Sequence, residues 1–117
     1  MTDFVIRRWD LDPYPGDQAP PHVHHRSDEG FCVLRGQLEV LVGQQRQTLN
    51  AGEYLVVPAG VTHTFATVDN QPVQMLAVMT PEVDELVAAL HQTSSPEERA
   101  AVWGRYNSSV EADTGTA

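Results

Sequence analysis

The chain of 117 residues has no lysine, a single cysteine, few aromatic residues and no long apolar run. Without lysine, Schiff-base chemistry and the phosphate-binding lysine of a P-loop are excluded. The lone Cys32 has no partner for a disulfide within the chain. No segment approaches the roughly 20 apolar residues that span a bilayer, and the N-terminal residues lack the apolar stretch of a secretory signal. These absences predict a cytoplasmic protein with no membrane contact.

Basic residues are also scarce, because seven arginines stand against 16 acidic residues and give a formal net charge of −9. Such a chain repels phosphate backbones, so no nucleic-acid partner is expected. Apolar residues make up 41% of the chain, which is enough for a packed core. The length allows one domain and leaves no room for a separate DNA-binding domain.

The sequence pattern changes near Thr80. Before it, short apolar runs are separated by turns every 8–12 residues or so, which is typical of an all-β sandwich or barrel. Within one such run, Leu38, Val40 and Val42 recur with the two-residue period of a strand. After it, Thr80 and Ser95 each precede a proline and predict the starts of two helices. The expected division is a β domain over residues 1–80, helices packed on it over 81–107, and a disordered tail over 108–117.

One group of polar residues carries the candidate chemistry. His22 and His24 alternate with Val23, so both rings face the same side of an extended chain. Glu29 follows across a turn, and His63 lies on a later strand that must fold back. Imidazole and carboxylate groups are ligands for divalent transition metals. Taken alone, the histidine pair also fits a chance surface feature.

Nearby polar residues are competing candidates. Asp28 offers a second carboxylate, but only Glu29 keeps six residues before Gly36. His25 and His91 are expected to be exposed to solvent and to have no role.

Two spacings extend this group into a known pattern. Gly16-x5-His22-x-His24-x4-Glu29-x6-Gly36 resembles the first motif of the cupin family, and Gly52-x5-Pro58-x-Gly60-x2-His63 resembles the second. Where the second motif of the family ends in Asn, this sequence has Thr67. This departure calls into question a hydrogen bond next to the site, but not the metal. The resemblance implies a jelly-roll barrel, or double-stranded β-helix, of two antiparallel sheets, here with a C-terminal helical extension. It also implies one divalent metal ion, Fe, Ni, Mn or Zn, held by His22, His24, Glu29 and His63.

Strand alternation predicts which side chains surround that metal. Residues two apart on a strand share a face, so neighbours of Glu29 and His63 at even spacing should point inward with them. The pocket wall predicted in this way consists of Phe31, Val33, Val61, Phe65 and Thr67. Ordinary barrel core is the alternative for the two phenylalanines, and Cys32 should pack on the opposite face.

Three neutral imidazoles and one carboxylate leave a divalent ion with a net charge of about +1 and open positions for a small-molecule substrate. The resemblance therefore implies first a dioxygenase similar to quercetin dioxygenases, acting on an aromatic or enolic substrate, with Glu29 as the catalytic base. Glu29 argues against the thiol dioxygenase branch of the family. Two alternatives stay open: an oxygen-independent cyclase or isomerase similar to polyketide cyclases, and a binding protein without turnover. A homodimer is expected, in which Phe4, Val5 and Ile6 extend a neighbour's sheet.

Overall fold

The computed structural model describes residues 3–111, which form nine strands and two helices. The elements are β1 Val5–Leu11, β2 His22–His24, β3 Glu29–Arg35, β4 Gln37–Val42, β5 Gln45–Asn50, β6 Tyr54–Val57, β7 His63–Thr67, β8 Val73–Met79, α1 Pro81–His91, α2 Pro96–Arg105 and β9 Ser108–Val110. One sheet has the order β1-β8-β3-β6 and the other has the order β5-β4-β7-β2-β9. All neighbouring strands are antiparallel, which confirms the predicted all-β architecture of two antiparallel sheets.

The core lies between the two sheets and follows the two-residue period of the strands. In β8 the buried side chains are Val73, Met75, Ala77 and Met79, whereas the alternate residues stay partly exposed. This pattern shows which face of the strand points inward, a choice that the apolar run from Met75 to Met79 leaves open. Val73 and Met75 form one cluster with Phe31 and other side chains of β3 to β7, whereas Ala77 and Met79 belong to a second cluster.

Gly36 lies where the chain leaves β3 in one sheet and enters β4 in the other. Its φ is +88°, a conformation that favours glycine. A Cβ atom at this position would lie 2.5 Å from the carbonyl oxygen of Pro72. The first motif therefore needs glycine at its end for two reasons, backbone conformation and close packing.

Both helices begin where the sequence predicts. The Thr80 hydroxyl accepts a hydrogen bond from the Val83 amide at 3.3 Å, and the Ser95 hydroxyl accepts one from the Glu98 amide at 3.1 Å. Val83 then packs against Ala77 and Met79 of β8, which attaches α1 to the barrel. Within residues 3–111, no helix has the length and apolar character needed to cross a membrane.

The C-terminal segment differs from its prediction as a disordered tail. Ser108–Val110 form β9, which pairs with β2 at the edge of the five-stranded sheet. The His25 amide donates to the Asn107 carbonyl and the Glu111 amide donates to the Pro21 carbonyl, both at 2.8 Å. Because backbone pairing supplies these contacts, the small polar side chains give no sign of the strand. Residues 112–117 lie outside the described residues.

Candidate metal centre

The structure brings His22, His24, Glu29 and His63 together inside the barrel. Each residue offers one ligand atom, and these atoms all lie within 4.8 Å of one another. His22 and His63 are direct cross-strand neighbours on β2 and β7, whereas Glu29 begins β3 in the opposite sheet. All four residues are at most 6% exposed. The sequence thus predicted a cluster that the fold assembles from three strands.

The spacing within the cluster fits a single ion. Glu29 Oε1 lies 3.0 Å from His63 Nε2 and 3.2 Å from His24 Nε2. Adjacent ligands of an octahedral ion with bonds of about 2.1 Å are about 3.0 Å apart, and opposite ones about 4.2 Å apart. The two separations from Glu29 therefore match those of adjacent ligands within a few tenths of an ångström, and the 4.8 Å limit for the whole group lies close to the distance between opposite ligands.

The outer nitrogen of each ring has a partner that orients it. His22 Nδ1 lies 2.8 Å from the Pro20 carbonyl oxygen, and His63 Nδ1 lies 3.0 Å from that of Val61. A carbonyl only accepts, so Nδ1 carries the proton in these rings and Nε2 is left with a lone pair. For His63 that lone pair then faces the carboxylate of Glu29. A separation this short requires a proton or a cation between the two atoms, so a bound metal ion would take the place of the proton that otherwise makes the hydrogen bond to Glu29.

Burial and mutual contacts also set the charges of the group. Burial, and after it the nearby His63, lower the pKa of His22 from 6.5 to about 4. Burial alone would raise the pKa of Glu29, but hydrogen bonds from His24 and His63 bring it down to about 2. At neutral pH the group therefore contains a carboxylate and a neutral His22, the forms that bind metals.

The competing residues lie elsewhere. Asp28 accepts a hydrogen bond from the Ala59 amide at 2.8 Å and thereby holds the turn that precedes β7. His25 is exposed, with its Nε2 bonded to the Ser109 hydroxyl, as expected of a residue outside the cluster. Cys32 is half-buried, on the face of β3 opposite Glu29, and does not belong to the cluster. His91, for which no role was expected, lines the cavity described next.

A cavity of about 560 Å³ opens beside the cluster, between the barrel and the two helices. Three of the four cluster residues line it: His22, His24 and Glu29. The rest of its wall consists of Arg8, Trp9, Asp10, Leu11, Gln18, Ala19, Pro20, Phe65, Leu86, Val87, Leu90, His91, Arg99 and Trp103. The site thus combines buried ligand atoms with a largely apolar chamber.

Of the five predicted pocket residues, only Phe65 lines this cavity, so the prediction for the other four is corrected. Phe31 and Val33 do point inward, but they belong to the packed core. Val61 packs against that core, and the Thr67 hydroxyl is bonded to the backbone of Tyr14. Alternation along a strand gives the face of a residue and not its level along the barrel axis, which decides between core and cavity.

Two tryptophans in the wall were missing from the predicted pocket. Trp9 on β1 stacks with Phe65 at a centroid distance of 6.0 Å and an interplanar angle of 19°. Trp103 on α2 lies 4.9 Å from the His22 ring, measured between centroids. The alternation of Trp9 and Leu11 with Arg8 and Asp10 in β1 was a usable signal for Trp9. Trp103 depends on how α2 docks, for which the sequence offers no direct signal.

Comparisons with known proteins agree with this geometry. The cupin domain family pattern matches residues 11–79. Quercetin 2,3-dioxygenase of Bacillus subtilis (strain 168) is 42% identical over 50 residues, which are 43% of this chain and 15% of that protein. Polyketide synthase CurC of Streptomyces cyaneus is 30% identical over 67 residues, or 57% of this chain and 44% of that protein. This chain therefore spans less than half the length of these curated relatives.

A solved structure shows the same fold. The TT1209 protein from Thermus thermophilus superposes with a TM-score of 0.60 and 29% identity, over 67% of this chain and 72% of the other. The family pattern covers more than half of the present sequence and contains all four clustered residues. Motif spacing, barrel architecture and the gathered ligand atoms lead to one conclusion, that this chain belongs to the cupin family.

Proposed function

We propose that this cupin is a metal-dependent dioxygenase that acts on a small aromatic or enolic molecule. The observation that carries the proposal is the buried group of three histidines and one glutamate beside a cavity with aromatic walls. The local similarity to quercetin 2,3-dioxygenase supports this reaction class, although it covers only a short segment of that protein.

The residues His22, His24, Glu29 and His63 would hold one divalent transition metal, with iron, nickel or manganese favoured for this reaction. Such an ion supplies Lewis acidity toward a substrate oxygen and a redox-active centre for chemistry with dioxygen. In the proposed reaction O2 is the oxidant, the substrate supplies the electrons, and both oxygen atoms end in the products. No separate reductant is needed.

The protein itself contributes orientation, a dry environment and a base. The rings of Trp9, Phe65 and Trp103 give the cavity flat apolar surfaces that suit an aromatic substrate. Glu29 is ionised at neutral pH, because its hydrogen bonds to two histidines lower its pKa. Its carboxylate would accept the proton of a substrate hydroxyl group once coordination to the metal has made that hydroxyl acidic.

A second function uses the same site without oxygen, with the metal, zinc included, as a Lewis acid for cyclisation or isomerisation. The observation that favours it is the match to polyketide synthase CurC, which covers more of this chain than the match to the dioxygenase does.

One experiment separates these functions. The metal content of untagged protein is measured by elemental analysis, and oxygen uptake is followed with quercetin as the probe, in air and under nitrogen. We expect one transition metal per chain and turnover only in air. Conversion at equal rates under nitrogen would replace the dioxygenase with the Lewis-acid enzyme, and tight binding with unchanged quercetin would indicate a binding protein.

A matched pair of variants ties the result to the cluster. His24→Ala removes a candidate ligand, whereas His25→Ala removes its exposed neighbour. Loss of metal and oxygen uptake in the first variant only is the expected outcome. If both variants keep their metal, the assignment of the centre is wrong.

We also propose that two copies pair through the outer face of the four-stranded sheet. Ile6, Val78, Gly30 and Val56 form one continuous row across its strands. Ile6 is 62% exposed and Val56 is 61% exposed. The whole face, which also carries Arg8 and Asp10, measures on the order of 400 Å² from strand spacing and rise. The exposed apolar row is one part of it, and such patches on a monomer often mark a contact. A second copy of the same flat face is the simplest occupant.

Sedimentation velocity tests this pairing. We expect a dimer at micromolar concentration for the natural chain and a monomer for Val56→Asp. Gln47→Asp, an exposed substitution on the other sheet, should stay dimeric. A monomer in all three samples contradicts the proposal.

A further inference from the structure

The last described strand reaches the candidate metal centre although it lies outside the matched family region. The family pattern covers residues 11–79, whereas β9 contains residues 108–110. Strand β9 pairs with β2 in a register that sets Ser108 opposite His24 and Ser109 opposite Val23. Ser108 is only 3% exposed.

The hydroxyl group of Ser108 lies 2.8 Å from His24 Nδ1 and 3.3 Å from the carbonyl oxygen of Tyr106. A hydroxyl group carries one proton, and the carbonyl of Tyr106 can only accept it. Toward His24 the serine oxygen therefore acts as the acceptor, which puts the ring proton on Nδ1. Nε2 then faces the cluster, where Glu29 Oε1 lies 3.2 Å away, and it is the ring atom that a metal would bind.

We propose that Ser108 is a positioning residue that prepares His24 for the metal, so that docking of β9 and metal loading stabilise each other. The inference rests on the proposed metal centre. His22 and His63 receive the same orientation from the carbonyl groups of Pro20 and Val61, which lie two residues before each histidine. Only His24 depends on a group 84 residues away in sequence.

The expected effect follows from known partners of metal-bound histidines. Removing a group that orients such a ligand weakens metal affinity by about 10–100-fold. Coupling between two binding events is reciprocal. Metal should therefore hold β9 in place by the same factor by which β9 strengthens metal binding.

The chain offers a matched control in the adjacent residue. Ser109 lies on the same strand, and its hydroxyl is 2.9 Å from Nε2 of His25, a histidine outside the cluster. Ser108→Ala and Ser109→Ala thus delete the same atom from neighbouring positions, and each deletion breaks one serine–histidine contact. Only the first contact involves a candidate ligand.

The experiment titrates metal-free full-length protein with Co²⁺ and follows the visible spectrum together with calorimetry. We expect Ser108→Ala to bind Co²⁺ about 10–100-fold more weakly than the natural chain and with an altered spectrum. The control Ser109→Ala should bind Co²⁺ within about twofold of the natural chain. Ser108→Thr keeps the hydroxyl group and should recover most of the affinity. Nitrogen NMR of metal-free protein should show the Nδ1–H form of His24, a signal that does not require metal. Hydrogen exchange at the Glu111 amide should slow when Zn²⁺ is added.

Each outcome has a distinct meaning. If the natural chain binds no metal, the proposed function fails, whereas the NMR result still tests the orientation of His24. If the natural chain binds and Ser108→Ala binds equally well with the same spectrum, the positioning role is wrong. Equal losses of Co²⁺ affinity in Ser108→Ala and Ser109→Ala would mean that the effect comes from the packing of β9 and not from the contact with His24. That result would also overturn the inference.

Discussion

Replacing Gly36 with alanine should destabilise the fold far more than the same change at Gly52. Both glycines belong to the cupin motifs, and their φ angles are nearly equal, +88° and +87°. A Cβ atom at Gly36 would lie 2.5 Å from the backbone oxygen of Pro72, whereas a Cβ atom at Gly52 would meet nothing within 4 Å. The pair therefore separates the cost of backbone conformation from the cost of a clash.

The magnitudes follow from these two contributions. An L-residue in the left-handed region costs about 1–2 kcal/mol, which is the whole effect expected for Gly52→Ala. Overpacking against a fixed neighbour adds about 1–3 kcal/mol, so Gly36→Ala should lose about 2–5 kcal/mol, with a midpoint of about 3.5 kcal/mol. With roughly 250 cal/mol/K of unfolding entropy for 117 residues, the melting temperature should fall by about 6 °C for Gly52→Ala and about 14 °C for Gly36→Ala.

Circular dichroism during heating and in urea measures both losses in metal-free protein. Equal losses in the two variants would refute the reasoning, because they would mean that the Pro72 contact has no energetic role. A folded Gly36→Ala protein with an unchanged melting temperature would also contradict the fold at this crossing.

Three further predictions concern the site and its surroundings. Arg99→Gln should weaken binding of 3,4-dihydroxybenzoate by about tenfold in calorimetry but leave binding of catechol, which has no carboxylate, unchanged. Arg99 lines the cavity, and a charged hydrogen bond contributes about 1.5–3 kcal/mol. Arg105→Gln is the control, and equal effects of Arg99→Gln on both ligands would exclude a contact between Arg99 and the carboxylate. Trp103→Ala should lower the free energy of unfolding by about 3–5 kcal/mol in urea, since Trp103 is 6% exposed, and a loss below about 1 kcal/mol would contradict its packing. Burial favours a higher pKa for Glu82, yet hydrogen bonds from Asn107 and Arg26 lower the pKa below the ordinary 4.5. The folded state therefore binds this proton more weakly than the unfolded state, so stability drops as the pH falls below about 4.5. Glu82→Gln should make the urea midpoint less dependent on pH in this range, whereas the control Glu85→Gln should not.

The residues that local rules govern were predictable from the sequence. The helix starts at Thr80 and Ser95 depend on a hydroxyl group and the next few amides, so the sequence alone locates them. The resemblance of the motif spacing to the cupin family likewise identified His22, His24, Glu29 and His63, which the structure gathers into one cluster.

What could not be predicted depends on how distant segments dock. Phe31 and Phe65 share an inward face and lie in ring contact at 5.3 Å between centroids, yet only Phe65 reaches the cavity. Trp103 enters the wall because α2 packs through Leu86 and Val102, an arrangement without a local sequence signal. Strand β9 is three residues long and forms because β2 offers an edge for backbone pairing. Its small polar side chains give no sign of that edge, so the sequence predicted disorder.

The ligand atoms of the cluster come from both halves of the barrel, with Glu29 in the four-stranded sheet and the three histidines in the five-stranded sheet. An ion at this position would connect the two sheets as a cross-link that forms only when metal is present. Because metal would bind the folded chain and not the unfolded chain, it would raise the free energy of unfolding by about 2.7 kcal/mol at a free metal concentration 100 times the dissociation constant. The supply of metal in the surroundings would in this way control how long the protein survives as well as whether it is active.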